Sequence, residues 1–116
     1  MVNLKKGGLA AIVGLARVYG LEAGSLARPT LERLRAAAEA RVIPKEEAED
    51  LSEAFLFLSR LRLQHQLLAL AQGKPPTNRV AQTALTPREL QMLRQVFLRV
   101  RQAQQALAGR FRLQAL

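Results

Sequence analysis

Pro44-KEEAEDLSEAFLFLSRLRLQHQLLALAQ-Gly73 is the stretch whose reading decides the fold. A proline at its head suits a helix start, and Glu46, Glu47, Glu49, Asp50 and Glu53 favour the positive end of a helix dipole. Nothing interrupts the run before Gly73, which can cap it in the left-handed conformation. The spacing predicts one helix of about 27 residues, about 40 Å long at 1.5 Å per residue. One apolar stripe holds Leu51, Ala54, Phe55, Leu58, Leu61, Leu68 and Ala69, and the opposite side carries Leu56, Leu63, Leu67 and Leu70. A helix that is apolar on two sides is packed on two sides. The expectation is that the Leu56 stripe meets the two helices before it, while the first stripe meets the helix after it. A stripe left open would instead drive dimerisation.

Outward from this segment the punctuation yields three more helices. Leu9, Ile12, Val13, Ala16 and Tyr19 recur at helical spacing after Gly7-Gly8, with Gly20 and Gly24 as breaks. A second helix follows Pro29-Thr30, with Thr30 as N-cap; it carries Leu31, Leu34, Ala38 and Val42 on one side and ends at Ile43-Pro44. Gly73-Lys-Pro-Pro-Thr-Asn-Arg79 reads as a loop. Thr86-Pro87-Arg88-Glu89 is a capping box, and a fourth helix runs to about Arg112 on a seam of Leu90, Leu93, Phe97, Val100, Leu107 and Phe111, interrupted by Gln104. No strand-like alternation appears. The fold class expected is all-α, an antiparallel four-helix bundle forming one domain over residues 1–116.

Composition narrows the chemistry. The 116 residues contain no Cys, one His and one Asp, which excludes thiolate chemistry and a multi-histidine metal site. Nucleotidyl transfer through two metal ions needs clustered carboxylates. Gly24-Ser25 is not followed by an Asp-x-Asp pair, so no catalytic residue, metal site or cofactor is assigned to this chain. Lys and Arg number 18 against 9 acids, a net charge of +9. That balance suits an anionic ligand, nucleic acid or an acidic surface, and equally a solvated basic face. No apolar run is long enough to span a membrane, and the expected location is cytoplasmic.

His65 follows Leu51 and Leu58 at steps of seven, inside the larger apolar stripe, with Arg62 one turn earlier. Together they could hold a phosphate or carboxylate. The competing expectation is a buried, hydrogen-bonded core histidine, with Gln104 as a partner across the core and Arg62 at the rim. Arg88, Arg99 and Arg110 form a candidate basic surface on the fourth helix, beside Arg94, Arg101 and Arg112. Arg60, four residues and His65 resemble the motif of HEPN ribonucleases, but the two side chains diverge by about 140° on a regular helix.

Asn3-Leu-Lys-Lys-Gly-Gly-Leu9, Ile12-Val13, Leu15-Ala-Arg17, Thr30-Leu-Glu-Arg-Leu34, Ala48-Glu-Asp-Leu51, Phe55, Leu58, Leu61-Arg62 and His65-Gln66 resemble, in that order, the nucleotidyltransferase substrate-binding domain family. Gly73, Pro75-Pro76, Asn78, Leu85-Thr86, Glu89 and Gln104 continue the resemblance. Ala11, Gly14 and Ala81-Gln82 depart from it, standing where that family often has Pro, Asp and Asp-Pro. The resemblance implies a helical domain at the C-terminal end of a longer bacterial signalling protein. Such proteins carry a nucleotidyltransferase-like domain, often with CBS-domain pairs and a cyclic-nucleotide-binding-like domain upstream. It implies a non-catalytic substrate-binding or regulatory role, with that upstream domain as partner in cis. Mg²⁺ or a nucleotide would enter only with the catalytic domain. The alternative is a self-contained interaction or homodimerisation bundle.

Overall fold

The structure is a computed structural model that describes residues 1–115, with side chains to Leu113. Four helices dominate the described residues: α1 Ala10–Glu22, α2 Thr30–Glu39, α3 Lys45–Ala71 and α4 Pro87–Ala115. A two-stranded antiparallel pair, β1 Val2–Asn3 and β2 Arg79–Val80, joins the start of the chain to the loop between α3 and α4, with Val2 opposite Val80 and Asn3 opposite Arg79. The all-α expectation holds, and these two short strands are an addition the sequence did not announce. Two-residue strands are too short to show alternation.

The helix ends follow from local chemistry. Thr86 and Glu89 cap α4 reciprocally: the Glu89 amide donates to Thr86 Oγ1 at 3.1 Å and the Thr86 amide to Glu89 Oε1 at 2.9 Å. The expected cap on α2 is absent; Thr30 is the first helical residue and extended Pro29 occupies the cap position without a side-chain bond. Nor does Gly20 break α1. The helix passes through it, and the missing Cβ makes room for the Arg33 side chain of α2, whose Cγ would lie 3.2 Å from it. The break comes at Gly24, with φ +70°, where the Ser25 amide donates back to the Gly20 carbonyl.

The same C-terminal closure recurs on α2 and α3: Val42 N–H donates to Ala37 O and Lys74 N–H to Ala69 O. Gly73 supplies the left-handed residue for α3, but on α2 it is Arg41, at φ +59°. Helix α2 therefore stops at Glu39, short of the expected Ile43. A side chain in that conformation costs about 1 kcal/mol that glycine avoids. Arg41→Gly should raise unfolding stability by about 1 kcal/mol in chemical denaturation; a loss of stability would show that the arginine side chain contributes something else.

The core gathers around Leu4, Ile12, Leu34, Leu51, Leu58 and Val100, all almost wholly removed from solvent. Helices α3 and α4 are antiparallel: the shallow hollows between them pair Glu46 and Leu51 with Ala103 and Ala106, then Ala54 and Phe57 with Met92 and Val96. Helix α1 lies beside α4 in the same direction, with Gly8 near Phe97 at one end and Glu22 bonded to Arg110 at the other. The tight turn Lys5–Leu9 is driven between α3 and α4. Asn3 Oδ1 accepts from the Lys5 and Lys6 amides at 3.0 and 2.9 Å, and Gly7 turns the chain at φ +77°. A Cβ on Gly8 would meet Leu58 and Phe97 side-chain carbons at 3.1 Å, so any larger residue there would push these side chains aside.

The seam of α4 runs through Leu93, Val96, Val100 and Ala103. Gln104 lies beside that seam and is exposed, so it does not interrupt the core as expected. From Val100 the helix can offer either the third or the fourth following residue to its neighbours, and packing selects small Ala103.

Candidate functional site

Charge is segregated along α3. Its first three turns hold Glu46, Glu47, Glu49, Asp50 and Glu53, whereas residues 54–88 contain Arg60, Arg62, Lys74, Arg79 and Arg88 and no acid at all. The turn at Lys5-Lys6 joins this second set because β1 pairs with β2 and the Leu4 amide donates to the Asn78 carbonyl at 2.8 Å. One end of the molecule is thus basic, built from the distal half of α3, the strand pair and the loop after α3.

His65 and Arg62 lie on this basic end, each partly exposed. The expectation of a buried, hydrogen-bonded His65 is not met: among the described residues it has no hydrogen-bond partner. The physical reason is length. The stripe that buries Leu51, Ala54, Leu58 and Leu61 continues to Leu68, but Leu68 is 57% exposed, so α3 has cleared its neighbours by then. His65 lies at the transition. Gln66, next to it, reaches the Thr77 carbonyl at 3.5 Å and is the link between this part of α3 and the loop.

Gln104 is not a partner of His65. It lines a shallow hollow between α1 and α4, with Ala10, Gly14 and Val18 on one side and Leu107 and Phe111 on the other. Of the three arginines expected to form a basic surface, only Arg88 is an exposed cation without an acidic partner among the described residues. Arg99 pairs with Asp50 across α3 and α4. Arg110 grips Glu22 through two contacts of 2.7 and 2.9 Å and donates to the Val42 carbonyl at 3.3 Å. A cation so engaged is a strut between helices rather than a free phosphate contact. Arg60 and His65 sit on one unbroken helix, which keeps their side chains apart and gives the ribonuclease motif no shared site.

Helical spacing puts Tyr19, the only tyrosine, on the apolar side of α1 but does not reveal its polar neighbours; it is buried beside Glu47, Arg110 and the Val42–Pro44 turn. Burial and then the Glu47 carboxylate push its hydroxyl up to about 12, against the opposite pull of Arg110. A hydroxyl held neutral in this way is a hydrogen-bonding group, not a base. Among the described residues no group of three acids or histidines is placed to hold a metal ion. No described helix is long and apolar enough to cross a membrane.

A groove of about 530 Å³ runs between α2 and α3, walled by Leu31, Arg35, Glu39, Glu49, Ser52 and Leu56. It stops at Leu31 and Leu56, where the N-terminal end of α2 lies against α3. Past that point the stripe of Leu63, Leu67 and Leu70 is open, each 56–57% exposed, instead of covered by α1 and α2 as expected. Ten residues of α2 span about 15 Å against about 40 Å for α3, so the shorter helix cannot reach them.

Residues 1–111 match the family model described as "Putative nucleotidyltransferase substrate binding domain". No curated protein and no solved structure matches the chain. The match covers almost the whole sequence, and the chain belongs to that family.

Proposed function

We propose that this domain serves as the non-catalytic substrate-binding or regulatory part of a nucleotidyltransferase-like signalling protein. Its partner is then a catalytic domain in cis, and that domain supplies the metal-binding carboxylates. The family match over residues 1–111 carries this reading. In the proposed setting the parent is a bacterial cytoplasmic protein whose upstream part includes CBS-type or cyclic-nucleotide-binding-like modules.

The basic end is the part of the surface best suited to an anionic substrate. Arg62 and His65 are accessible there, Lys5, Lys6, Lys74 and Arg79 add positive charge, and no carboxylate of residues 54–88 competes. An arginine can hold a phosphate through paired N–H donors, and a histidine adds a donor whose charge follows pH. Gln104, Arg99 and Arg110 are not part of this site, since each lies elsewhere or is already engaged.

The test uses the protein carrying both domains, with ATP and Mg²⁺ titrated calorimetrically. Arg62→Ala and His65→Ala should each weaken ATP binding about tenfold, equivalent to about 1.4 kcal/mol. Neither substitution should shift stability by more than about 1 kcal/mol, because both side chains are only partly buried and His65 has no bond to lose. Wild-type affinity in both variants would remove this end from the binding site. The 116-residue chain alone, given nucleoside triphosphate and Mg²⁺, should transfer nothing.

A further inference from the structure

The strand pair assembles part of the basic end on a hydrogen-bonded frame. Val80 is buried and its partner Val2 packs against the core, so the next pair, Asn3 and Arg79, faces outward together. Asn3 turns its side chain onto the Lys5 and Lys6 amides, which holds the Lys5-Lys6 turn beside Arg79. On the other flank the Arg79 amide donates to Thr77 Oγ1 at 3.2 Å, and the Thr77 carbonyl accepts from Gln66, one turn along α3 from Arg62. Lys5, Lys6 and Arg79 are exposed, Arg62 is partly so, and none has an acidic partner among the described residues. Residues 1–21 contain no acid, and Glu89, at the start of α4, is turned back onto the Thr86 amide.

We propose, resting on the reading of the basic end as the substrate site, that the substrate it takes is a polynucleotide duplex held by its backbone phosphates. Four cations carried by three separate segments suit a row of phosphates. A free nucleotide needs a cleft around its base, and the hollows between α2 and α3, α3 and α4, and α1 and α4 hold none of these cations. A single strand is gripped by stacking its bases on exposed aromatic rings. Here Tyr19 is buried, Phe55, Phe57 and Phe97 pack against the core, and Phe111 lies at the far end of α4. A duplex has its bases already stacked on one another and turns phosphates outward, about one per 3.4 Å of each strand. A membrane surface would seat basic and apolar side chains together, but Leu63 and Leu67 turn about 100–140° away from Arg62 around α3. Phosphate contacts carry no sequence information, so binding is indifferent to base sequence.

The test titrates the 116-residue chain with RNA and DNA duplexes of about 12 base pairs, a single strand of the same length, ATP, and vesicles of anionic phospholipid. Both duplexes should bind at least about tenfold tighter than the single strand or ATP. With about four phosphates neutralised, log K should fall against log salt with a slope of about −3 to −4, about a hundredfold in affinity between about 50 and 200 mM. Lys5→Ala, Lys6→Ala and Arg79→Ala should each weaken binding alike for unrelated sequences and reduce that slope by about one. Their side chains are exposed, so the thermal midpoint should stay that of the wild type. Arg112→Ala, which removes a cation about 36 Å along α4 from Arg88, should leave the slope unchanged. An equal effect of Arg112→Ala would mean attraction by net charge alone and would overturn the site. ATP or single strand bound as tightly as duplex would overturn the duplex but not the substrate site, which stands or falls on Arg62→Ala and His65→Ala. Vesicles bound more tightly than either duplex would overturn the proposal in favour of a membrane surface.

Discussion

Leu58→Ala should lower the unfolding free energy by about 3–5 kcal/mol, a large part of what a domain of this size possesses. Leu58 is fully buried, and its side chain is one wall of the seat that receives Gly8. Truncation removes apolar surface that three elements share: α3, the turn at Lys5–Leu9 and, across Gly8, Phe97 of α4. Leu58 is fully enclosed and packs against the Gly8 backbone, which limits collapse of the resulting cavity and places the cost in the upper half of the usual range. Denaturant titration gives the number. A loss below about 1 kcal/mol would mean that the turn does not seat against α3 as described.

The second large effect is a fall in stability at high pH that depends on Tyr19. Its hydroxyl is pushed from 10.0 to about 12, mainly by burial and next by Glu47. Because the folded state raises an acidic group, the neutral form is favoured by folding. The contribution is fully present below the unfolded value and is lost as pH rises through the window from about 10 to about 12. At 1.36 kcal/mol per unit, the loss across that window approaches about 2–3 kcal/mol. The comparison is with Tyr19→Phe, which removes the chain's only tyrosine and should flatten this part of the pH profile. Equal slopes in the two proteins would mean that Tyr19 ionises freely in the folded state.

The limits of the sequence are visible in particular residues. The capping box Thr86–Glu89, the left-handed stops at Gly24 and Gly73 and the uninterrupted run of α3 are local, and local signals place helices well. Arg41 is not legible as a helix stop because nothing in its side chain favours that conformation; the helix end is set by Val42 closing onto Ala37. Periodicity assigns residues to a face but does not say how far a neighbour extends along it. That is why Leu63, Leu67, Leu68 and Leu70 are open, and why His65 is only partly buried. Pairs such as Arg110 with Glu22, 88 residues apart, leave no trace in a local reading. Of the candidate site, Arg62 and His65 do share an accessible end, whereas Gln104 and the arginines of α4 belong to other surroundings.

The seat of Gly8 also has a consequence in time. The turn at Lys5–Leu9 is synthesised before the four helices, yet its two walls are Leu58 and Phe97, and the strand it extends from pairs with Arg79–Val80. Helices α1, α2 and α3 can form from neighbouring residues as synthesis proceeds, but this segment has no resting place until α4 has emerged. Folding of this domain is therefore completed by its oldest residues, which wait, apolar Leu4 and Leu9 included, for the newest.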